Sequence, residues 1–343
     1  MEYNFNVEKI TEGAINWIKN WFEENGKDCK AVIGISSGKD STICAALCVE
    51  ALGADRVIGV MMPCGVQKDI SDSIRVCELL GIKNYTINIE GAVNATLKQM
   101  KDAGIEISNQ TIVNLPPRIR MSTLYAVSQS HNGRVSNNCN LSEDICGFST
   151  RFGDSVGDFS PLSNLTTVEI VQIGDYLGLP YDLVHKIPMD GLNINENDEY
   201  ITDEDVMGVK YSDIHMYART PDVLKETNPT VYEAIREKEM KNAFKLKPMP
   251  AYSPTRNSIY TKKNKKKMRQ TSGIVINNDI FINSSNVIKM EKKNIDVIEI
   301  YMLGVASPVK IAFKNETDRD VIFNKIIMEM YGHNYAILNF DTK

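Results

Sequence analysis

Residues 31–42, Ala-Val-Ile-Gly-Ile-Ser-Ser-Gly-Lys-Asp-Ser-Thr, constrain the fold of this chain more than any other stretch. An apolar run from Ala31 to Ile35 stops at Ser36, Ser37 and Gly38, and a helical pattern opens at Asp40 and continues through Leu47. That order predicts a buried strand, a tight turn and a helix N-terminus. Such a turn presents backbone N–H groups at the positive end of a helix dipole, a setting that suits phosphate. Gly38 allows close approach of a ligand to the backbone, and the serine hydroxyls add donors. Asp40 would repel a phosphate unless a cation stood between them, and Mg²⁺ is the simplest such cation. The spacing is not that of the Walker A loop, G-x-x-x-x-G-K-[ST].

The flanking pattern extends this unit. Residues 8–24 read as an amphipathic helix, with Ile10, Ile15, Ile18 and Phe22 at helical spacing. A second strand is expected over Arg56–Pro63, a helix over Asp69–Leu80 and a third strand over Asn84–Glu90. Short connections between alternating strands and helices imply right-handed crossovers and an α/β fold, a parallel twisted sheet flanked by helices. Ligands of such sheets bind beyond the carboxyl ends of the strands, where Ser36–Ser41 lies. A long helix is expected over Asn114–His131, a short strand over Arg134–Asn137, and a polar loop over Asn138–Gly157. Helices dominate from there to about residue 245.

The basic stretch Tyr260–Arg269 reads as a solvated linker. Beyond it, Gly273–Ile282, Asn286–Met290, Val297–Leu303 and Val309–Phe313 pattern as strands and Glu316–Tyr331 as a helix, a small α+β module without evident chemistry. The expected division is a large domain over 1–258, a linker over 259–272 and the module over 273–343.

Composition narrows the function classes. Of 343 residues 43% are hydrophobic and the formal net charge is −5, which gives no general reason to expect nucleic-acid binding. No run approaches the roughly 18 apolar residues of a membrane span, and the first residues lack the pattern of a secretory signal, so cytoplasm is the expected location. The seven cysteines are scattered, and Cys29, Cys44, Cys48 and Cys77 fall in apolar patterns expected to be core. The four histidines show no metal-ligand spacing and are read as structural.

Four separated segments resemble the ammonia-dependent NAD⁺ synthetases, a family within the enzymes that split ATP into AMP and pyrophosphate at an S-G-G-x-D-S loop. They are Ser36–Ser41; Asn114–Met121 with Arg118 and Arg120; Ser142-Glu143 with Gly147–Asp154 and Asp158; and Lys245–Pro250. The resemblance implies an adenine nucleotide alpha hydrolase-like fold, a homodimer, and the small-molecule substrates ATP, deamido-NAD⁺ and ammonia. It further implies that Asp40 and Glu143 are the catalytic residues and hold Mg²⁺. Gly34, Ile35, Ser36, Ser37, Gly38, Lys39, Asp40, Ser41, Asn138 and Thr167 would bind ATP. Arg118, Arg151, Asp158 and Lys245 would bind deamido-NAD⁺. The residues before Ala31 are too few for a nitrilase-like glutaminase region, so free ammonia is the expected nitrogen donor unless a separate protein supplies it.

The chain departs from the family pattern at Ser37 (usually Gly), Asn137-Asn138 (Gly-Thr), Arg151 (Lys), Thr167 (Lys), Met189 (Thr) and Phe244 (His). Two other readings therefore stand beside the first. One is another AMP-forming enzyme that adenylates a different carboxylate or thiolates RNA, for which Cys139 and Cys146 are the candidate cysteine pair. The other is a degenerate nucleotide-binding module.

Overall fold

The computed structural model describes residues 3–188 and 201–253, and beyond them the backbone of short strands. The chain separates into two compact units, Met1–Pro250 and Ala251–Lys343.

The first unit is built on four parallel strands: β1 (Lys30–Gly34), β2 (Val57–Met61), β3 (Lys83–Thr86) and β4 (Gly133–Val135), in the order β3-β2-β1-β4. Ala31 registers with Val57 on one side and Arg134 on the other. Side chains of β1 alternate between two cores. Ala31 and Ile33 pack with Ile18, Phe22, Ile43, Leu47 and Ile170. Val32 packs on the opposite face with Ile58, Val60, Val93, Met121 and Leu124. Because both faces are covered, β1 and β2 read as continuous apolar runs rather than as polar–apolar alternation.

The first face carries α1 (Val7–Asn25), α2 (Lys39–Leu52), α3 (Ile70–Leu79) and α7 (Thr167–Tyr176). The second carries α4 (Glu90–Asp102) and α5 (Asn109–Ser130). A third cluster joins α6 (Leu141–Cys146) to α9 (Asp203–Met207), α10 (Tyr211–Arg219), α11 (Pro221–Thr227) and α12 (Pro229–Asn242) through Ile145, Met207, Tyr211, Ile214, Leu224 and Ile235. A single turn, α8 (Tyr181–Val184), follows α7. From β1 the chain moves outward to β2 and β3 and then returns to the other side of β1 as β4. The strand order thus reverses at the carboxyl ends of β1 and β4, which opens a crevice there.

In this unit the third strand, the helix before β4 and the stretch after it differ from the sequence expectation. The third strand is shorter than Asn84–Glu90. Ile87 and Ile89 still donate to the Met61 and Pro63 carbonyls, both at 2.9 Å, but Asn88 Oδ1 accepts the Glu90 N–H at 3.0 Å and α4 begins. The helix expected from Asn114 starts at Asn109, because Ser108 caps it by accepting the Thr111 N–H at 3.2 Å. Pro116 and Pro117 lie inside α5, buried. The Asn138–Gly157 stretch is not all loop: Asn140 and Glu143 form a reciprocal capping box that starts α6.

In the second unit, β5 (Ile274–Ile276), β6 (Ile280–Ile282) and β10 (Ile337–Leu338) form one three-stranded sheet in the order β10-β5-β6. β7 (Val287–Asn294), β8 (Val297–Met302) and β9 (Val309–Ala312) form another, in that order. The expected strand over Gly273–Ile282 is two strands, β5 and β6, paired antiparallel. The linker Tyr260–Arg269 and the helix Glu316–Tyr331 lie outside the described residues. Among the described residues no helix is long and apolar enough to cross a membrane.

Candidate active site

The turn between β1 and α2 is held from within. Ser36 N–H donates to Ser41 Oγ at 3.2 Å, Gly38 N–H approaches Ser36 Oγ at 3.3 Å, and Ser41 Oγ donates to the Gly38 carbonyl at 3.0 Å. Gly38 is the N-cap of α2 and has no side chain to satisfy the first-turn amides. Those amides remain donors for an anion. Ser37 adopts φ +65°, the left-handed region that explains why glycine is the usual residue of such loops. Its hydroxyl donates to Asp69 and accepts from Lys186 Nζ at 3.2 Å. Ile35 continues the β1 ladder by donating to the Val60 carbonyl, and the Gly34 carbonyl accepts from Asn138 Nδ2 at 3.0 Å.

Asp40, in the first turn of α2, faces α6 across the crevice. Its Oδ1 accepts from Asn140 Nδ2 at 3.1 Å and its Oδ2 lies 3.2 Å from Lys39 Nζ. Lys39 does not point outward with the rest of the loop. Its side chain is 6% exposed and its ammonium sits 5.3 Å from the Tyr211 ring centroid. Burial opposes the Lys39 charge, but Asp40 and Glu143 outweigh that effect and hold its pKa above the ordinary value. Glu143 is tied through Oε2 to the Asn140 N–H at 3.0 Å. Burial, and after it the negative charge of Asp40, push its carboxyl well above the usual range. Two carboxylates set against each other in a partly enclosed site disfavour ionisation unless a cation joins them.

Asn140 links these groups. Its Oδ1 accepts from Ser142 and Glu143 N–H and, at 3.3 Å, from Thr167 Oγ1, while its amide donates to Asp40. Thr167 is buried at the start of α7, and its N–H donates to Ser142 Oγ at 3.1 Å. Tyr211 donates to Asp203 at 3.2 Å, closing the wall behind Lys39. Among the described residues no group of three or more His, Cys, Asp or Glu side chains could hold a metal. A pair of carboxylates fits Mg²⁺, which is commonly bound by one or two carboxylates together with substrate phosphates.

The second wall carries cations. Arg118 Nε donates to the Arg151 carbonyl at 3.3 Å. The Arg151 guanidinium lies 4.8 Å from the Phe152 ring centroid and 5.4 Å from that of Phe244, and its buried Nε has no hydrogen-bond partner. Lys245 Nζ donates to the Gly147 and Ser149 carbonyls at 2.7 and 3.2 Å. Arg120 is turned inward, donating to the Met62 carbonyl at 3.0 Å. Asp158 accepts the Val135 N–H at 2.7 Å and the Tyr125 hydroxyl at 3.3 Å, which fixes its carboxylate at the end of β4. Met189 lies outside the described residues.

Cys139 and Cys146 are buried, which disfavours their thiolate forms. Burial, then the charge of Glu143, raises the Cys139 thiol well above its usual value, and burial lifts Cys146 to about 11. His131, His185 and His215 are engaged by Tyr85, Asp175 and Thr166, in keeping with structural roles. Sequence reasoning missed Asn140, Tyr211 and Lys186. Asn140 had a signal, since Asn three residues before Glu143 is a capping-box pattern. Tyr211 and Lys186 come from remote segments and had none.

The NAD synthase family profile matches residues 10–250. An NH₃-dependent NAD⁺ synthetase of Thermococcus sibiricus is 36% identical over 204 residues, covering 59% of this chain and 76% of the relative. That of Methanocaldococcus jannaschii is 32% identical over 257 residues, covering 70% of this chain and 96% of its own length. Among solved structures, an NMN synthetase from Francisella tularensis superposes with a TM-score of 0.64 at 29% identity, over 73% of this chain and 99% of that one. An NH₃-dependent NAD synthetase from Campylobacter jejuni superposes with a TM-score of 0.60 at 27% identity, over 73% and 100%. With a Ser-Ser-Gly turn at the head of α2, an acidic pair joined through Asn140 and a family match spanning nearly all of the first unit, this chain belongs to the NAD synthase family.

Proposed function

We propose that the chain is an ammonia-dependent NAD⁺ synthetase, a carbon–nitrogen ligase that amidates deamido-NAD⁺ at the cost of ATP. The observation that carries this reading is the placement of Asp40 and Glu143 opposite each other, joined through Asn140, at the mouth of the Ser36–Ser41 loop. A nicotinate carboxylate oxygen attacks the α-phosphorus of ATP, forming an acyl-adenylate and expelling pyrophosphate. Ammonia then adds to the acyl carbon, and AMP leaves as the amide forms.

The protein's work is positioning and charge neutralisation. Loop N–H groups with Ser36 and Ser41 receive the β- and γ-phosphates. Asp40 and Glu143 would hold Mg²⁺, which would offset the phosphate charge that the two carboxylates otherwise repel. Asn138 and Thr167 border the ATP. Arg118, Arg151, Asp158 and Lys245 take the acceptor, and Arg151 meets it with an Nε that no protein group satisfies. A cytoplasmic homodimer completes the proposal, and light scattering of the purified protein tests the dimer.

A second acceptor is favoured by one specific observation. The acceptor wall pairs Arg151 with Phe244, two departures from the synthetase pattern, and an NMN synthetase is among the similar structures. A nicotinate mononucleotide would present the same carboxylate. The deciding experiment supplies ATP, Mg²⁺ and ammonium with either acceptor and scores AMP and amide product together, with Asp40→Asn alongside. Equimolar NAD⁺ and AMP, lost in Asp40→Asn, support the synthetase. Product from the mononucleotide alone transfers the reading to that acceptor, and no AMP with either refutes both.

A further inference from the structure

We propose that Lys186 is a phosphate-binding residue of this site, a cation held in reserve at the rim of the loop for the β- and γ-phosphates of ATP and for the departing pyrophosphate. The inference rests on the ATP-splitting reading above.

Lys186 follows α8 and is 149 residues from the loop, yet its Nζ lies 3.2 Å from Ser37 Oγ, the hydroxyl at the tip of the turn. Among the described residues, Lys39 and Lys186 are the lysines whose ammonium groups bond at this turn. Lys39 is sealed behind Asp40 and under the Tyr211 ring, and cannot reach a ligand without breaking both contacts. Thr167, buried at the start of α7, contributes no charge. Lys186 keeps 23% of its side-chain surface open to solvent.

Its other partners suit a reserve position better than a permanent one. Nζ donates to Asp69 Oδ2 at 2.7 Å and to Asp72 Oδ2 at 2.8 Å, so the three ammonium hydrogens meet three acceptors. The two carboxylates are 40% and 35% exposed and remain hydrated if the ammonium shifts. Asp69 also accepts from Ser37 and from Gln67 Nε2 at 2.9 Å, so it retains two donors when Lys186 leaves it. Asp72 can stay bound throughout. A phosphate in the loop therefore offers Lys186 an exchange of one carboxylate oxygen for a phosphate oxygen without leaving a buried charge unpaired. The trio carries a net charge of −1 (one lysine against two aspartates), which favours an incoming Mg²⁺-complexed polyphosphate over a bare one.

Titration calorimetry on the full chain tests this with Mg²⁺-pyrophosphate, Mg²⁺-ATP and AMP as probes, comparing wild type, Lys186→Met, Lys186→Gln and Lys186→Arg. A lost charge-assisted phosphate contact should weaken pyrophosphate and ATP by roughly tenfold to a hundredfold in the Met and Gln variants. AMP, which lacks those phosphates, should change by less than about twofold, a difference a merely structural lysine would not produce. Lys186→Arg should recover most of the loss. Unchanged pyrophosphate affinity in a folded Met or Gln variant overturns the proposal. An equal loss for AMP and pyrophosphate overturns it as well, by assigning Lys186 to loop shape alone. A wild type that binds neither ATP nor pyrophosphate refutes the ATP-splitting reading itself, a result distinct from both.

Discussion

Glu143→Gln should make the ligand-free protein more stable while removing its response to Mg²⁺-ATP. Glutamine keeps the capping box, because its carbonyl can still accept the Asn140 N–H that Glu143 Oε2 accepts at 3.0 Å. What disappears is a negative charge enclosed beside Asp40 and Asp154, with Lys39 the neighbouring cation. Removing such functional strain commonly yields about 0.5–2 kcal/mol, which for a domain of this size raises the melting temperature by roughly 1–8 °C. The pH dependence has a definite sign. Glu143 is raised in the folded state, so its penalty is absent below its unfolded pKa and builds as pH rises through the folded value. The gap in melting temperature between variant and wild type should therefore widen as pH rises and close in acid. Mg²⁺-ATP should raise the wild-type melting temperature and leave the variant nearly unmoved. Differential scanning calorimetry across pH, with and without Mg²⁺-ATP, reads every arm. A variant less stable than wild type at pH 8, or one stabilised equally by Mg²⁺-ATP, would refute the assignment of this pair as the cation site.

Four further variants test the scaffold and the proposed acceptor wall. Glu169, 1% exposed, takes both nitrogens of a bidentate Arg219 contact at 2.7 Å, the Tyr3 hydroxyl at 2.9 Å and the Thr166 N–H at 2.8 Å. Glu169→Gln turns an NH₂ toward two of those donors and should cost about 3–5 kcal/mol in urea unfolding. Burial opposes its charge but Arg219 prevails and lowers its pKa, so the wild-type advantage should fade as pH falls through the folded value. Gly147→Ala should cost at least about 1–2 kcal/mol for its φ of +64° alone. It should also displace α12, since the new Cβ would lie 2.2 Å from Asn242 Cβ; Gly13→Ala, with nothing within 4 Å, should instead gain about 0.5–1 kcal/mol by thermal melting. Phe244→Ala removes one face of the Arg151 stack, worth about 0.5–1 kcal/mol, and should raise the acceptor KM about two- to fivefold while the ATP KM holds.

The sheet and the turn between β1 and α2 were legible because their causes are local. Ala31–Ile35 is apolar for as long as a buried strand needs, Ser36–Gly38 breaks it, and Asp40 opens the helix, so the order of residues alone places the site at a carboxyl edge. Glu143 and Arg151 were legible only through motif resemblance, since nothing near them in sequence says that one faces Asp40 and the other lies between Phe152 and Phe244. Short-range polar chemistry also misled: the Ser, Asn and Gly residues after Asn138 suggest a loop, yet Asn140 uses that polarity to cap α6 and to reach Asp40. The serine at position 37 shows the limit most plainly. As a letter it is a departure from glycine in a turn that requires φ +65°. In the fold its hydroxyl has acquired partners from the N-cap of α3 and from the segment after α8, contacts that glycine could not make. The conformational cost of a side chain in the left-handed region is offset by hydrogen bonds whose donors and acceptors lie 32 and 149 residues away. The substitution that weakens the motif therefore also ties the loop to Lys186, and a reading confined to the motif sees only the first effect.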